Sequence, residues 1–100
     1  MDNKIEIPKH LLSTYKMIRS CFPEGIIQKY YYPLMTLLYD YMSNRNLADI
    51  MSICTGKDWG ITYNDALLVG SVSNPVTKEE LNEVKSMLLK HGYEEWIKEE

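Results

Sequence analysis

The chain is poor in the residues that chemistry usually recruits. It holds two histidines and two cysteines in 100 residues. His10, Cys21, Cys54 and His91 stand singly, with no Cys-x-x-Cys and no short-spaced ligand pair, so neither a zinc site nor a redox motif is expected. No metal or cofactor is assigned. A nucleophile–base pair would have to join Cys21 or a serine to one of the two histidines, without a Gly-x-Ser-x-Gly elbow or a glycine-rich oxyanion loop. Thr55-Gly56-Lys57 lacks the earlier glycine, the following Ser/Thr and the preceding strand of a phosphate loop. Glu79, Glu80 and Glu83 fall on the first turn and polar face of a helix. Water solvates them there, which is not the apolar setting that raises a carboxyl pKa for acid catalysis. No catalytic residue is assigned.

Long hydrophobic runs are also missing. Ala66-Leu67-Leu68-Val69 falls far short of the roughly 20 apolar residues a membrane span needs, so no membrane role is expected. Met1-Asp2-Asn3-Lys4-Ile5-Glu6 has no apolar signal core and reads as a cytoplasmic start. The cysteines lie among apolar neighbours, Ile18 and Phe22 for one, Ile50 and Met51 for the other. They are expected as buried free thiols, which suits a reducing compartment. A basic surplus is absent too: 11 Lys and Arg face 14 Asp and Glu, for a net charge of −3. Nucleic-acid binders draw most of their affinity from neutralising phosphates, so nucleic acid is a disfavoured partner. The imbalance is uneven. Residues 1–32 carry five basic and three acidic side chains, residues 77–100 four basic and seven acidic. The last third suits a basic partner, or serves simply as a solvated helix surface.

What is present is an ordinary globular composition, 45% apolar and 25% charged, enough for one domain over residues 1–100 with an ordered core at about 8–97. The pattern is helical throughout. Pro8 opens a first helix with Leu11, Leu12, Tyr15, Ile18 and Phe22 on its inner face, stopped by Phe22-Pro23-Glu24-Gly25. Pro33 should start the second helix and leave Tyr32 outside it, with Leu34, Leu37, Leu38 and Tyr41 as its apolar stripe. Ser43-Asn44 caps a third helix that buries Leu47, Ile50, Met51 and Cys54. After a loop over Thr55–Gly60, Thr62 caps a fourth helix that runs to about Val72 and stops at Asn74-Pro75. Thr77-Lys78-Glu79-Glu80 is a capping box for a fifth, with Leu81, Val84, Met87 and Leu88 buried and His91-Gly92 as its close. The expectation is an all-α bundle of about five short helices packed at steep angles. Brief extension at Ile26-Ile27 or Val72–Val76 is the one departure the sequence allows.

The third and fourth helices raise a helix-turn-helix reading. The loop over Thr55–Ile61 is longer than such a turn, and Thr62–Val72 has no Lys or Arg, only Asn64, to read bases. Aromatics are the surplus instead: eight tyrosines, two tryptophans and one phenylalanine. Tyr30, Tyr31 and Tyr32 cannot all face one core, and Trp59 sits beside Asp58 in a polar loop. Such side chains either fill gaps between short helices or anchor protein interfaces. Tyr31, Asp58 and Trp59 are the interface candidates, with Glu79 and Glu83 as electrostatic contacts.

Phe22-Pro23-Glu24-Gly25, then Tyr32-Pro33-Leu34-Met35-Thr36-Leu37-Leu38, and later Ile61 through Val76 leading into Thr77-Lys78-Glu79-Glu80-Leu81, Val84 and Leu89-Lys90-His91-Gly92-Tyr93 form a recognisable layout. It resembles a family of small helical bacterial proteins, largely actinobacterial, whose function is unassigned. Val76 between Pro75 and Thr77, and Tyr93 in place of the usual tryptophan, depart from that pattern. The resemblance implies an all-α domain in a bacterial cytoplasm and carries over no catalytic residue. The leading expectation is a non-enzymatic domain that binds another protein. Its concrete form is an immunity or antitoxin-like protein masking a basic toxin. A DNA-binding regulator and a small-ligand carrier or enzyme are the alternatives.

Overall fold

The computed structural model describes residues 6–99, which form six α-helices and one 3₁₀ turn. The turn is Lys9–Leu11, and the helices are α1 (Leu12–Cys21), α2 (Gln28–Tyr39), α3 (Asn44–Thr55), α4 (Trp59–Val69), α5 (Lys78–Leu89) and α6 (Tyr93–Glu99). No strand forms among the described residues, at Ile26-Ile27 and Val72–Val76 included. The all-α expectation stands with six helices rather than about five.

Local chemistry explains the starts of α3, α4 and α5. Ser43 accepts a hydrogen bond from the Asn46 amide at 3.1 Å and caps α3. At α5 the capping box closes both ways: Glu80 N donates to Thr77 Oγ1 at 3.1 Å, and Thr77 N donates to Glu80 Oε1 at 2.9 Å. Each satisfies an amide that the first turn would otherwise leave without a partner.

Two helices differ from the sequence reading in where they begin or end. The second helix starts at Gln28 and carries all three tyrosines, with Pro33 inside it. A proline there forfeits one hydrogen bond. The offset comes from packing, because the helical turn sends the hydroxyls of Tyr30, Tyr31 and Tyr32 to carboxylates on α4 and α5. The fourth helix starts at Trp59, capped by Asp58, whose Oδ2 accepts from Gly60 N at 3.0 Å. Thr62 is therefore inside α4 and fully buried, its hydroxyl donating to the Ala48 carbonyl at 2.9 Å. The helix ends at Val69, three residues early, where Gly70 lies against Tyr39: a Cβ at Gly70 would run into the tyrosine ring.

The sixth helix escaped sequence reading because seven residues are too few to display a period. It is fastened by Trp96, 3% exposed, whose indole donates to Thr14 Oγ1 at 2.7 Å on α1. The core joins Leu34, Met35 and Leu38 of α2 to Leu47, Ile50 and Met51 of α3 and to Val84 and Leu88 of α5. Leu12 of the expected inner face is instead exposed, and Thr14 and Met17 take the inward positions on α1. Cys21 and Cys54 are free and half-buried. Burial pushes both thiols up, Cys54 to about 11 against a small opposing pull from Arg19.

Candidate functional site: the solvent face of α4

An amphipathic helix normally turns charge to water. Helix α4 does not. Between Asp58 and Lys78 the only charged side chain is Asp65, and it faces inward. Its two oxygens accept from Tyr31 at 2.6 Å and Tyr32 at 3.0 Å. Burial first, and this bond second, raise the Tyr31 phenol far above its ordinary range. Lys57, just before the helix, lies over the Tyr31 ring with Nζ 4.5 Å from its centroid. Asp65 and Lys57 are thus drawn onto α2, and exposed Asp58 caps the start of α4.

Thr62, Ala66 and Val69 are the buried positions of α4. The 100° step of a helix puts Gly60, Asn64 and Leu67 on the opposite side, flanked by Ile61 and Leu68. All five but Leu68 are exposed, Ile61 at 52% and Leu67 at 45%. Beyond the helix end Val72 is wholly exposed on the turn that leads to α5. The helix therefore presents water with a strip of apolar and small side chains in which Asn64 is the central polar group. Large apolar side chains left exposed together on one helix face mark interaction sites more often than single scattered ones do.

Trp59 stands at the start of the strip, 42% exposed. Its ring stacks on Tyr63 with centroids 4.9 Å apart, and its indole donates to Asp49 Oδ1 at 2.6 Å. The expected neighbour Asp58 is beside it and exposed. Tyr31 is elsewhere: at 1% exposure it is a core residue and cannot present its ring to a partner. The sequence argument that one of three consecutive tyrosines must be partly exposed is met by Tyr30 and Tyr32, both half-buried. Glu79 and Glu83 are exposed on α5, away from α4 in the chain. Glu83 accepts from Tyr30 Oη at 2.8 Å and lies 3.6 Å from Lys29 Nζ. That hydrogen bond, more than burial, raises the Tyr30 phenol.

The α3–α4 connection is Gly56-Lys57-Asp58, with Gly56 in the left-handed conformation at φ 78°. At three residues it has the length of a helix-turn-helix turn, shorter than the sequence loop. Two clefts are well defined among the described residues. One of about 240 Å³ lies between α1 and α6 beside Met17 and Trp96. The other, about 320 Å³, lies between Pro33 and Pro75 beside Tyr32. Among the described residues every buried side-chain nitrogen or oxygen has a hydrogen-bond partner, so neither cleft receives an unsatisfied buried polar group. Among them also, no three His, Cys, Asp or Glu side chains gather as a metal site would require, and no helix is long and apolar enough to cross a membrane.

Comparisons with protein-family models, curated proteins and solved structures find no match. Sequence reading missed Ile61, Leu67 and Val72, and weighed Asn64 only as a base contact. It ran the fourth helix through Ala66–Val69 without assigning a buried face, and a helix touching the core along one stripe cannot bury an apolar run on every side. The missed signal was the long stretch with one charge.

Proposed function

We propose that the protein is a non-enzymatic interaction domain that docks another protein chain on the solvent face of α4. The observation that carries the reading is the pairing of exposed Ile61, Leu67 and Val72 with a sequence stretch whose sole charge is turned inward. Leaving such surface in water forgoes roughly 25 cal/mol per Å² that a partner would recover. Trp59 and Tyr63 add a stacked aromatic pair at one end, the side-chain type that anchors interfaces at low entropy cost.

The immunity or antitoxin-like form of this reading draws on a second surface. Glu79, Glu94 and Glu95 are exposed on α5 and α6, and a basic toxin would meet its charge there rather than on α4. A cytoplasmic setting accords with the two free thiols. The DNA-regulator reading gains from the three-residue turn but still lacks any cation on α4.

The test uses two leucines that are equally exposed, Leu67 at 45% and Leu89 at 44%. Tagged wild type, Leu67→Glu and Leu89→Glu are compared for the proteins each retains from native lysate after nuclease treatment. Retention lost with Leu67→Glu and kept with Leu89→Glu supports the α4 face. An unchanged set of retained proteins in both variants removes it.

A further inference from the structure

We propose that the chain docked on α4 is a second copy of the same protein, paired antiparallel about a two-fold axis at Asn64. The inference rests on the reading of α4 as a docking face and adds the identity of the occupant. In an isologous interface each group near the axis meets its own copy or a close neighbour. Any charge there would oppose a like charge, so a self-complementary strip must be neutral at its centre. A strip built for a basic or acidic partner has no such requirement and gains by carrying the complementary charge. The solvent face of α4 carries none, while the chain as a whole is at −3.

The residue pattern fits a register centred on Asn64. Antiparallel pairing there keeps each flank of the strip on its own side and sets Ile61 against Leu68 of the second copy and Gly60 against its Leu67, so that apolar meets apolar along the strip. Gly60 lets the backbones approach at that point. Asn64 meets Asn64, and an amide carries both donors and an acceptor, so the pair can bond to itself. A lone asparagine in an apolar seam fixes register and partner number in paired helices elsewhere. Asp65, one residue from the centre, is turned away to Tyr31 and Tyr32, and the next charge towards the start of the helix, Asp58, is six residues from the centre. The two copies of Asp58 would thus lie ~18 Å apart along the axis at 1.5 Å per residue, well beyond the ~8 Å screening length at physiological salt.

Sedimentation velocity over micromolar to millimolar protein tests this with four single-residue variants. Wild type should pass from the 11.7 kDa monomer to twice that mass. Asn64→Asp and Asn64→Lys should each raise the dissociation constant at least tenfold, and their equimolar mixture should recover the dimer, because opposite charges then face across the axis. Asn82→Asp, the same change at an exposed position on α5, should leave association at the wild-type level, and so should Leu89→Glu. A wild type that stays monomeric to millimolar concentration overturns the proposal, as does a mixture that associates no better than its components. Monomeric wild type together with lysate partners lost on Leu67→Glu means that the face docks a different protein. Monomeric wild type with no effect of Leu67→Glu on retention means that the α4 reading itself fails.

Discussion

Replacing Asp65 with alanine tests whether the inward turn of the one charge in α4 holds the helix on α2. The carboxylate accepts from Tyr31 at 2.6 Å and Tyr32 at 3.0 Å. Hydrogen bonds to charged groups contribute about 1.5–3 kcal/mol net, and a buried donor left without a partner costs about 1–3. Tyr32 is half-buried and recovers water, so its share is small. Tyr31, at 1% exposure, does not recover it. Partial relief of the desolvated carboxylate offsets some of the loss, which leaves a cost of about 3 kcal/mol for Asp65→Ala. Tyr31→Phe removes the hydroxyl while Asp65 keeps Tyr32 and solvent, for about 1.5 kcal/mol, the low end of the same scale. In the double variant no buried hydroxyl is stranded, so the pair should fall short of the sum by about 2 kcal/mol. Urea denaturation followed by far-ultraviolet circular dichroism reads this directly. With a slope of about 1–2 kcal/mol per molar, Asp65→Ala should lower the midpoint by about 2 M. Additive single variants, or a shift for Asp65→Ala of less than ~0.3 M at the same slope, would refute the reasoning.

Other consequences follow from burial. Burial, with the charges of Tyr41 and Asp40 adding to it, raises the Tyr93 phenol to about 12, and burial raises Tyr31 further. The folded state thus holds these protons more tightly than the unfolded chain, whose tyrosines titrate near ~10. That contribution to stability is intact below pH ~10 and is lost as pH climbs through 10 to 12; urea midpoints at pH 8, 10 and 11 should fall in that order, and a flat series would contradict the burial of these rings. Leu88→Ala, at a fully buried site, should cost ~2–5 kcal/mol, and Leu81→Ala, half-buried, at least ~1 kcal/mol less; thermal or urea unfolding ranks them. Gly70→Ala must displace the Tyr39 ring, at a cost of ~1–3 kcal/mol; a neutral result would mean that the α4 terminus is free to move.

The sequence made the fold legible wherever a signal was local. The Ser43 cap, the Thr77–Glu80 box and the stripe of Leu47, Ile50 and Met51 are all decided within a few residues, and each appears where its chemistry requires. It misled where a distant contact outweighed local preference. Pro33 reads as a helix start, but three tyrosine hydroxyls bonding across to α4 and α5 carry the helix one and a half turns further back. Thr62 reads as a cap because nothing nearby reveals that its hydroxyl answers the Ala48 carbonyl fourteen residues earlier. Helix α6 depends on Trp96 reaching Thr14, a contact across 82 residues. The candidate site was half legible. Trp59 and Asp58 stood out as an aromatic beside an acid, and both lie at the head of the strip. Tyr31 did not belong there, since exposure within a run of tyrosines depends on which one the helix turns inward. Ile61 and Leu67 were hidden because an apolar residue in a helix reads as core until the helix is seen to have one buried side.

The most direct test of the central claim, that α4 is where another chain docks, is site-specific photo-cross-linking in cells. A benzophenone side chain is placed at Leu67 in one variant and at the equally exposed Leu89 in another. Docking on α4 should give an irradiation-dependent protein adduct from position 67 and none from position 89, with an adduct at twice the chain mass if the occupant is a second copy. An adduct from position 89 alone, or none from position 67 while the variant remains folded, would contradict it.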